Sequence, residues 1–274
     1  MTTLNIIGPG RVGQTLGHLW MTSGMYHVQG VMARTVDSAR QAVDFIGSGQ
    51  AHADSAHMPN ADVWMLSVPD THIATTAQAL AELTTPVGPL RPALAFHCSG
   101  ALCSDVLEPL RLAGWQVASC HPLLSFARPE LALTQFSGTP CALEGDVPAV
   151  AELQSAFKHI GAQCFALAAQ DKLLYHAGAV FASNFLPVLQ DLAEQLWQHS
   201  GMPDDLIQQM RATLLQNMVN NIVALGPKAA LTGPAARGDG ALVTQQGQAV
   251  TDWSIDAGKA YAVLSQLASQ LARR

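Results

Sequence analysis

Lys172 and His176 stand one helical turn apart in a largely apolar stretch, and Ser183-Asn184 follows about two turns later. At 100° per residue Lys172, His176 and Ser183 fall within about 40° of one another, with Asn184 roughly 80° from His176. An ordinary buried helix would fill that stripe with Leu or Ala. An ammonium that can donate and an imidazole that titrates near neutral pH suit proton transfer to an oxygen or nitrogen being reduced. A solvated Lys172 in a first turn beside a satisfied core His176 would look the same in sequence. Pro187 removes one backbone bond and presses on the Ser183 carbonyl, so a bend is expected that brings Asn184 closer. Downstream, Arg237 is one of few cations in its region, and a carboxylate or phosphate on a substrate would need one. It lies in a stretch, 230–240, that reads as a loop, with Asp239 placed to cap the next helix.

A second chemistry begins at the other end of the chain. Leu4-Asn5-Ile6-Ile7 reads as a buried strand, and it runs into Gly8-Pro9-Gly10-Arg11-Val12-Gly13, a complete GxGxxG. The first glycine permits a tight turn, the second lets a pyrophosphate approach bare backbone, and the third lets the helix pack closely on its strand. A helix over 11–22 and a strand over 27–33 complete a βαβ unit, so a dinucleotide is expected on the helix N-terminus. The second strand ends without an acid to hold a ribose 2′-hydroxyl and offers Arg34, with Thr35 and Ser38 as extra donors. That favours NADP, with NAD as the alternative.

These residues must be carried by an open sheet. After a helix over 36–46, residues 62–66 read as a central strand ending in Ser67-Val68-Pro69-Asp70, with a helix over 71–83. Strands follow at 93–97, ending in Cys98-Ser99-Gly100, and at 115–120, ending in His121-Pro122, with a helix over 104–112 between them. Strand after strand ends in small or polar residues, and in open α/β sheets ligands bind outside those carboxyl ends. Ser67, Val68, Pro69, Ser99 and Gly100 are therefore expected to line the cofactor crevice, and His121 the substrate side. Two more strands are predicted at 136–143 and 163–167, flanking a helix over 147–160. Beyond them the pattern is helical: 171–199, then 203–225 ended by Gly226-Pro227, then 240–250 and 256–272. The expected organisation is a dinucleotide-binding domain over residues 1–168 and a helical substrate and dimerisation domain over 169–274.

Hydrophobic residues make up 49% of the 274 and charged residues 12%, which suits strands covered on both faces and hints at a partner subunit. A net charge of −6 without a Lys/Arg cluster argues against a nucleic-acid partner. Five scattered cysteines and no apolar leader point to a reduced cytoplasmic setting, and no apolar run is long enough to span a membrane. His97, Cys98, Cys103, Cys120 and His121 lack metal-ligand spacing, so no metal is expected.

Taken together, the glycine loop, Ser67-Val68-Pro69-Asp70, His97-Cys98-Ser99-Gly100-Ala101, His121-Pro122-Leu123-x-Ser125-Phe126, Lys172-x-x-Tyr175-His176, Ser183-Asn184 and Leu231-Thr232-Gly233-Pro234-x-x-Arg237-Gly238-Asp239 resemble a family of candidate NADP oxidoreductases. In that family a Rossmann-like domain precedes an all-helical domain of unassigned function. It is similar to ketopantoate reductase, pyrroline-carboxylate reductase and the β-hydroxyacid dehydrogenases. The resemblance implies a doubly wound, mostly parallel α/β sheet followed by an all-α domain arranged as in 6-phosphogluconate dehydrogenase. It also implies a nicotinamide cofactor, an interdomain active site and a homodimer paired through the helical domains. Relatives often use a lysine on the first long helix followed one turn later by an asparagine. Here Lys172 is followed by His176, and Asn184 is three turns away, so the proton donor stays open between Lys172 and His176. The leading expectation is hydride transfer to a small, anionic C=O or C=N substrate. Its alternatives are an NADP(H)-binding sensor without turnover and an oxidoreductase that also uses a deazaflavin.

Overall fold

The structure, a computed structural model, describes residues 1–85 and 87–274. Its first compact unit, Met1–Phe181, is built on one eight-stranded sheet. In chain order it comprises β1 (Thr3–Ile7), α1 (Arg11–Ser23), β2 (His27–Met32), α2 (Val36–Ile46), β3 (Gln50–His52), β4 (Val63–Leu66), α3 (Asp70–Leu83) and β5 (Leu94–His97). It continues through α4 (Glu108–Leu112), β6 (Gln116–Pro122), α5 (Pro129–Gln135), β7 (Pro140–Gly145), α6 (Val147–His159), β8 (Gln163–Ala166) and α7 (Lys172–Ala179).

The strand order is β3-β2-β1-β4-β5-β6-β7-β8. The first six strands run parallel, β7 is antiparallel to β6, and β8 follows β7. Connectivity reverses between β1 and β4, so the glycine loop and the Ser67 loop stand side by side at the switch point, where such sheets bind ligands. Continuous apolar runs such as Val63–Leu66 are buried on both faces, as a covered parallel sheet requires. On one face Trp20 packs edge-on against Tyr26, Phe96 and Phe157 at centroid distances of 5.3, 6.1 and 5.1 Å. On the other, Trp64 meets Trp115 at 5.8 Å. Each of these fully buried aromatic rings contributes about 2–3 kcal/mol of apolar burial.

The predicted strand at 136–143 is displaced to Pro140–Gly145. Pro129 at the first helical position starts α5 in what reads as a connection, and Phe136 ends that helix and is buried in the core. Its apolar signal is packing, not pleat.

The second unit, Ala182–Arg274, contains α8 (Phe185–His199), α9 (Asp204–Ala230), α10 (Pro234–Arg237), α11 (Gly240–Trp253) and α12 (Ile255–Arg273). The single helix predicted over 171–199 is instead interrupted by a wide π-type turn at Val180–Asn184, just ahead of Pro187, whose ring displaces the carbonyl four residues back. Within α9 the first helical run stops at Gly226, as expected from Gly226-Pro227: Gly226 takes φ 76° and ψ 165°, outside the helical region, and a second short helical run follows from Pro227 to Ala230. The stretch read as a loop holds the one-turn α10, and the Asp239 carboxylate accepts from Leu242 N at 3.1 Å, capping α11 as expected.

Among the described residues no helix is long and apolar enough to cross a membrane, and no group of three or more His, Cys, Asp or Glu could hold a metal. All five cysteines are free thiols.

Candidate functional site

The glycine loop leaves β1 with Gly8 at φ 76°, and the Gly8 N–H donates to Met32 O on β2 at 2.9 Å. A Cβ on Gly8 would lie 2.5 Å from Val68 Cγ1, so the β4 loop closes over the turn. Gly13 meets Ser67 and Ile6 in the same way, which brings α1 hard against the sheet. Gly10 differs: a Cβ there would find only Gly8 O, at 3.9 Å. Its face is open, α1 begins without a side-chain cap or an acid in its first turn, and Arg11 is exposed. Bare amides, a helix dipole and room suit the phosphates of a dinucleotide.

Ser67 and Thr35 are spent on the scaffold. The Ser67 hydroxyl donates to Gly8 O at 2.8 Å, holding the glycine loop to β4. Thr35 Oγ1 accepts from Ser38 N at 3.1 Å and caps α2. Arg34, beside it, is exposed, while Pro9 is buried and Val12 and Val68 are half-buried at the root of the loop.

A second cluster forms at the ends of β5 and β6. Ser99 is buried, and its hydroxyl donates to Asp70 Oδ2 at 2.7 Å while accepting from Ala101 N and Leu102 N. This fixes the turn that exposes the face of Gly100. A Cβ on Gly100 would collide with His176 Nδ1 and would lie 2.8 Å from His121 Nε2, so both imidazoles pack against the bare face of that glycine. Their rings meet edge-on at 5.6 Å. His176 Nδ1 is buried and has no hydrogen-bond partner. On its other side His121 Nδ1 lies 3.1 Å from the Tyr175 hydroxyl, and with that hydroxyl donating, the ring proton sits on Nε2, toward Gly100. Burial, then His176 and Lys172, lowers His121 from 6.5 to about 4, and burial raises Tyr175 to about 12. Both are neutral at physiological pH.

His97 does not join this pair. It accepts from Ser99 N at Nδ1 and donates from Nε2 to Cys103 O, which fixes one neutral tautomer, and burial lowers it to about 4.

Lys172 is 1% exposed. Its ammonium donates to Ser99 O at 3.1 Å and Ser119 Oγ at 2.6 Å, and it pairs with Glu144 Oε1 at 3.9 Å. It is neither the solvated first-turn lysine that composition allows nor an amine open to solvent.

The first unit thus gathers Lys172, His176, His121, Ser99 and Gly100. Ser183, Asn184 and Arg237 belong to the second unit and are exposed; the Ser183 hydroxyl donates to Asn184 Oδ1 at 2.8 Å. The wide turn at Val180–Asn184 breaks the regular 100° count that put Ser183 on one stripe with Lys172 and His176. Tyr175, Asp70, Ser119 and Glu144 were not singled out for this site from sequence. Glu144, an acid at the end of an apolar strand, and Ser119, inside one, were the available signals.

Residues 2–122 match the model of a Rossmann-like domain, and residues 139–268 match a domain of unknown function, DUF2520. No curated protein matches the chain. Among solved structures, one described as a candidate NADP oxidoreductase from Bacteroides fragilis is similar at a TM-score of 0.80 and 22% identity, covering 98% of both chains. A protein from Thermotoga maritima reaches a TM-score of 0.75 at 25% identity, with the same coverage. Pyrroline carboxylate reductase from Plasmodium falciparum, solved with NADP bound, reaches 0.60 at 11% identity, again over 98% of both chains. At such identities the likeness is one of fold. The chain thus matches a Rossmann-like domain over its N-terminal part and the DUF2520 domain over most of the remainder.

Proposed function

We propose that this protein is an NADP-dependent oxidoreductase that transfers a hydride between nicotinamide and a small C=O or C=N substrate, with His176 moving the accompanying proton. The observation that carries the reading is the buried, unpartnered His176 Nδ1, which packs on Gly100 beside His121 Nε2. A polar atom buried without a partner is costly, and a ligand that hydrogen-bonds there removes the cost. Both rings adjoin the strand ends where a dinucleotide fold places its ligand.

Residues of the glycine loop, from Gly8 to Gly13, would hold the pyrophosphate, and Arg34 the 2′-phosphate. The nicotinamide supplies the hydride when bound. His121, oriented by Tyr175, donates from Nε2 to the substrate's acceptor atom, and His176 exchanges a proton with it. Orienting an anionic substrate is assigned to Ser183, Asn184 and Arg237 of the helical domain, taken as residues 169–274 against a nucleotide-binding 1–168. Homodimerisation through the helical domain, in a cytoplasmic setting, belongs to the same proposal. In its favour, only Ile207, Ala230, Ala257 and Gly258 are buried among the described residues of the second unit, while Leu214, Val223 and Leu225 on α9 are 56%, 81% and 60% exposed.

The test is to titrate the full chain with NADPH by fluorescence and then screen keto acids, imines and aldehydes for cofactor consumption. With a substrate found, His176→Gln lowers kcat by about a hundredfold and leaves NADPH affinity unchanged. A wild-type rate in that variant overturns the role of His176, and binding without consumption across the panel favours a sensor.

A further inference from the structure

We propose that Lys172 is a positioning residue: its buried ammonium pins the Ser99–Gly100 turn, on which both imidazoles pack, to β6 and places a fixed charge near His121, acting on the reaction through the imidazoles and not at the substrate. The proposal rests on the reductase reading only for what the imidazoles do.

The geometry leaves the amine no spare proton. Of its three N–H bonds, two are given to Ser99 O and Ser119 Oγ, and the third side faces Glu144. Glu144 is itself fixed, accepting from Ser104 N at 2.7 Å and Ser104 Oγ at 2.8 Å. A buried charge is tolerated only when it is paired and hydrogen-bonded, and here both conditions are met. The Ser99 carbonyl is held by Lys172 while the Ser99 hydroxyl is held by Asp70, so the turn is clamped from two elements, α7 and α3. Gly100, which sets the spacing of His121 Nε2 and His176 Nδ1, is the next residue.

The charge matters as well as the clamp. Facing His121 are Asp70 from α3 and Lys172, Tyr175 and His176 from α7; around Lys172 and Tyr175 in turn stand Glu144 from β7 and the thiols of Cys98, Cys103, Cys120 and Cys141, with His97 of β5 beside Lys172 and Asp70. Burial lowers the Lys172 amine and Glu144 opposes that; Lys172 in turn adds to the lowering of His97 and His121, against Asp70.

The experiment uses cofactor-free full-length protein and two variants. Lys172→Met removes both charge and clamp. The His121 titration midpoint, read from ring-proton NMR, rises by about one pH unit, and amide exchange at Ala101 and Leu102 quickens roughly tenfold. Ser119→Ala keeps the charge but removes both the Lys172 acceptor and the Ser119 Oγ contact to Ser99 O at 3.5 Å, so exchange quickens while the midpoint holds. If Lys172→Met leaves both readouts at wild-type values, the proposal fails. Should that variant not fold, unchanged exchange in Ser119→Ala overturns the clamp. Neither readout requires turnover, so their failure is separate from that of the reductase reading, which the His176→Gln kinetics decide.

Discussion

Gly13 on α1 and Ser67 at the end of β4 contend for one position: a Cβ on Gly13 would stand 2.5 Å from Ser67 Oγ and 3.3 Å from Ile6 Cγ2. The hydroxyl that blocks a side chain there is the one that tethers Gly8 O. The third glycine of the loop is therefore required by a neighbour some fifty residues later in the chain, not by its own backbone angles.

Gly13→Ala should destabilise the protein by about 1–3 kcal/mol and weaken NADPH binding, because the helix must move off the sheet. Ser67→Ala alone should cost about 1 kcal/mol for the lost hydrogen bond. In the double variant the blocking oxygen is gone, so the two losses should sum to less than their separate values. Urea denaturation of the four proteins measures the coupling; strict additivity would contradict the contact.

Gly100→Ala should leave the circular dichroism spectrum intact and lower kcat at least tenfold. The methyl would run into His121 Nε2 and His176 Nδ1, forcing one ring out of place. Unchanged kinetics on a substrate of the wild-type protein would show that this pair of rings is not used.

His97 and His121 are both lowered from 6.5 to about 4, chiefly by burial. Between those values the unfolded chain binds protons that the folded one excludes. Stability from these groups is thus complete above pH 6.5 and falls as pH drops toward 4. Urea midpoints between pH 7 and pH 4.5 should decline, and His97→Gln should flatten the slope. A midpoint independent of pH over that range would contradict the burial of both rings.

Arg34→Ala should weaken NADPH binding by roughly tenfold or more and leave NADH binding within about twofold, since only one of the two carries the 2′-phosphate. Fluorescence titration with both cofactors decides it; equal losses would remove Arg34 from the phosphate site.

Much of the first unit is legible in sequence because its signals are local. Ile6-Ile7 running into Gly8, the apolar run at Val63–Leu66 and the cap at Asp239 each depend on neighbours within a few residues, and each lies where the spacing puts it. The clustering around Gly100 is not local. Tyr175 reaches His121 across 54 residues and Lys172 reaches Ser119 across 53, distances at which periodicity carries no information. The stripe from Lys172 to Ser183 misled for a different reason. A count of 3.6 residues per turn holds only while the bonds stay i to i−4, and at Val180–Asn184 they widen. Phe136 shows the opposite limit, a buried aromatic whose apolarity reports packing and says nothing of strand or helix.

The reversal of β7 has a consequence for how this protein can be divided. Because β7 and β8 run against the other six strands, β8 ends not at the far edge of the sheet but at Ala166, opposite Leu143 and so level with Cys120, beside the carboxyl end of β5. From there α7 begins within a few residues and brings Lys172 to Ser119 and His176 to Gly100. The nucleotide half therefore borrows its last helix from sequence that lies past its final strand. A recombination junction placed directly after Ala166 would yield a chimera with an intact glycine loop, a Glu144 held by Ser104 but without its cation, and no imidazole opposite His121. A junction after Phe181, where the compact units part, would inherit the whole cluster. The heritable module is set by the helix that completes the cluster, not by where the sheet stops.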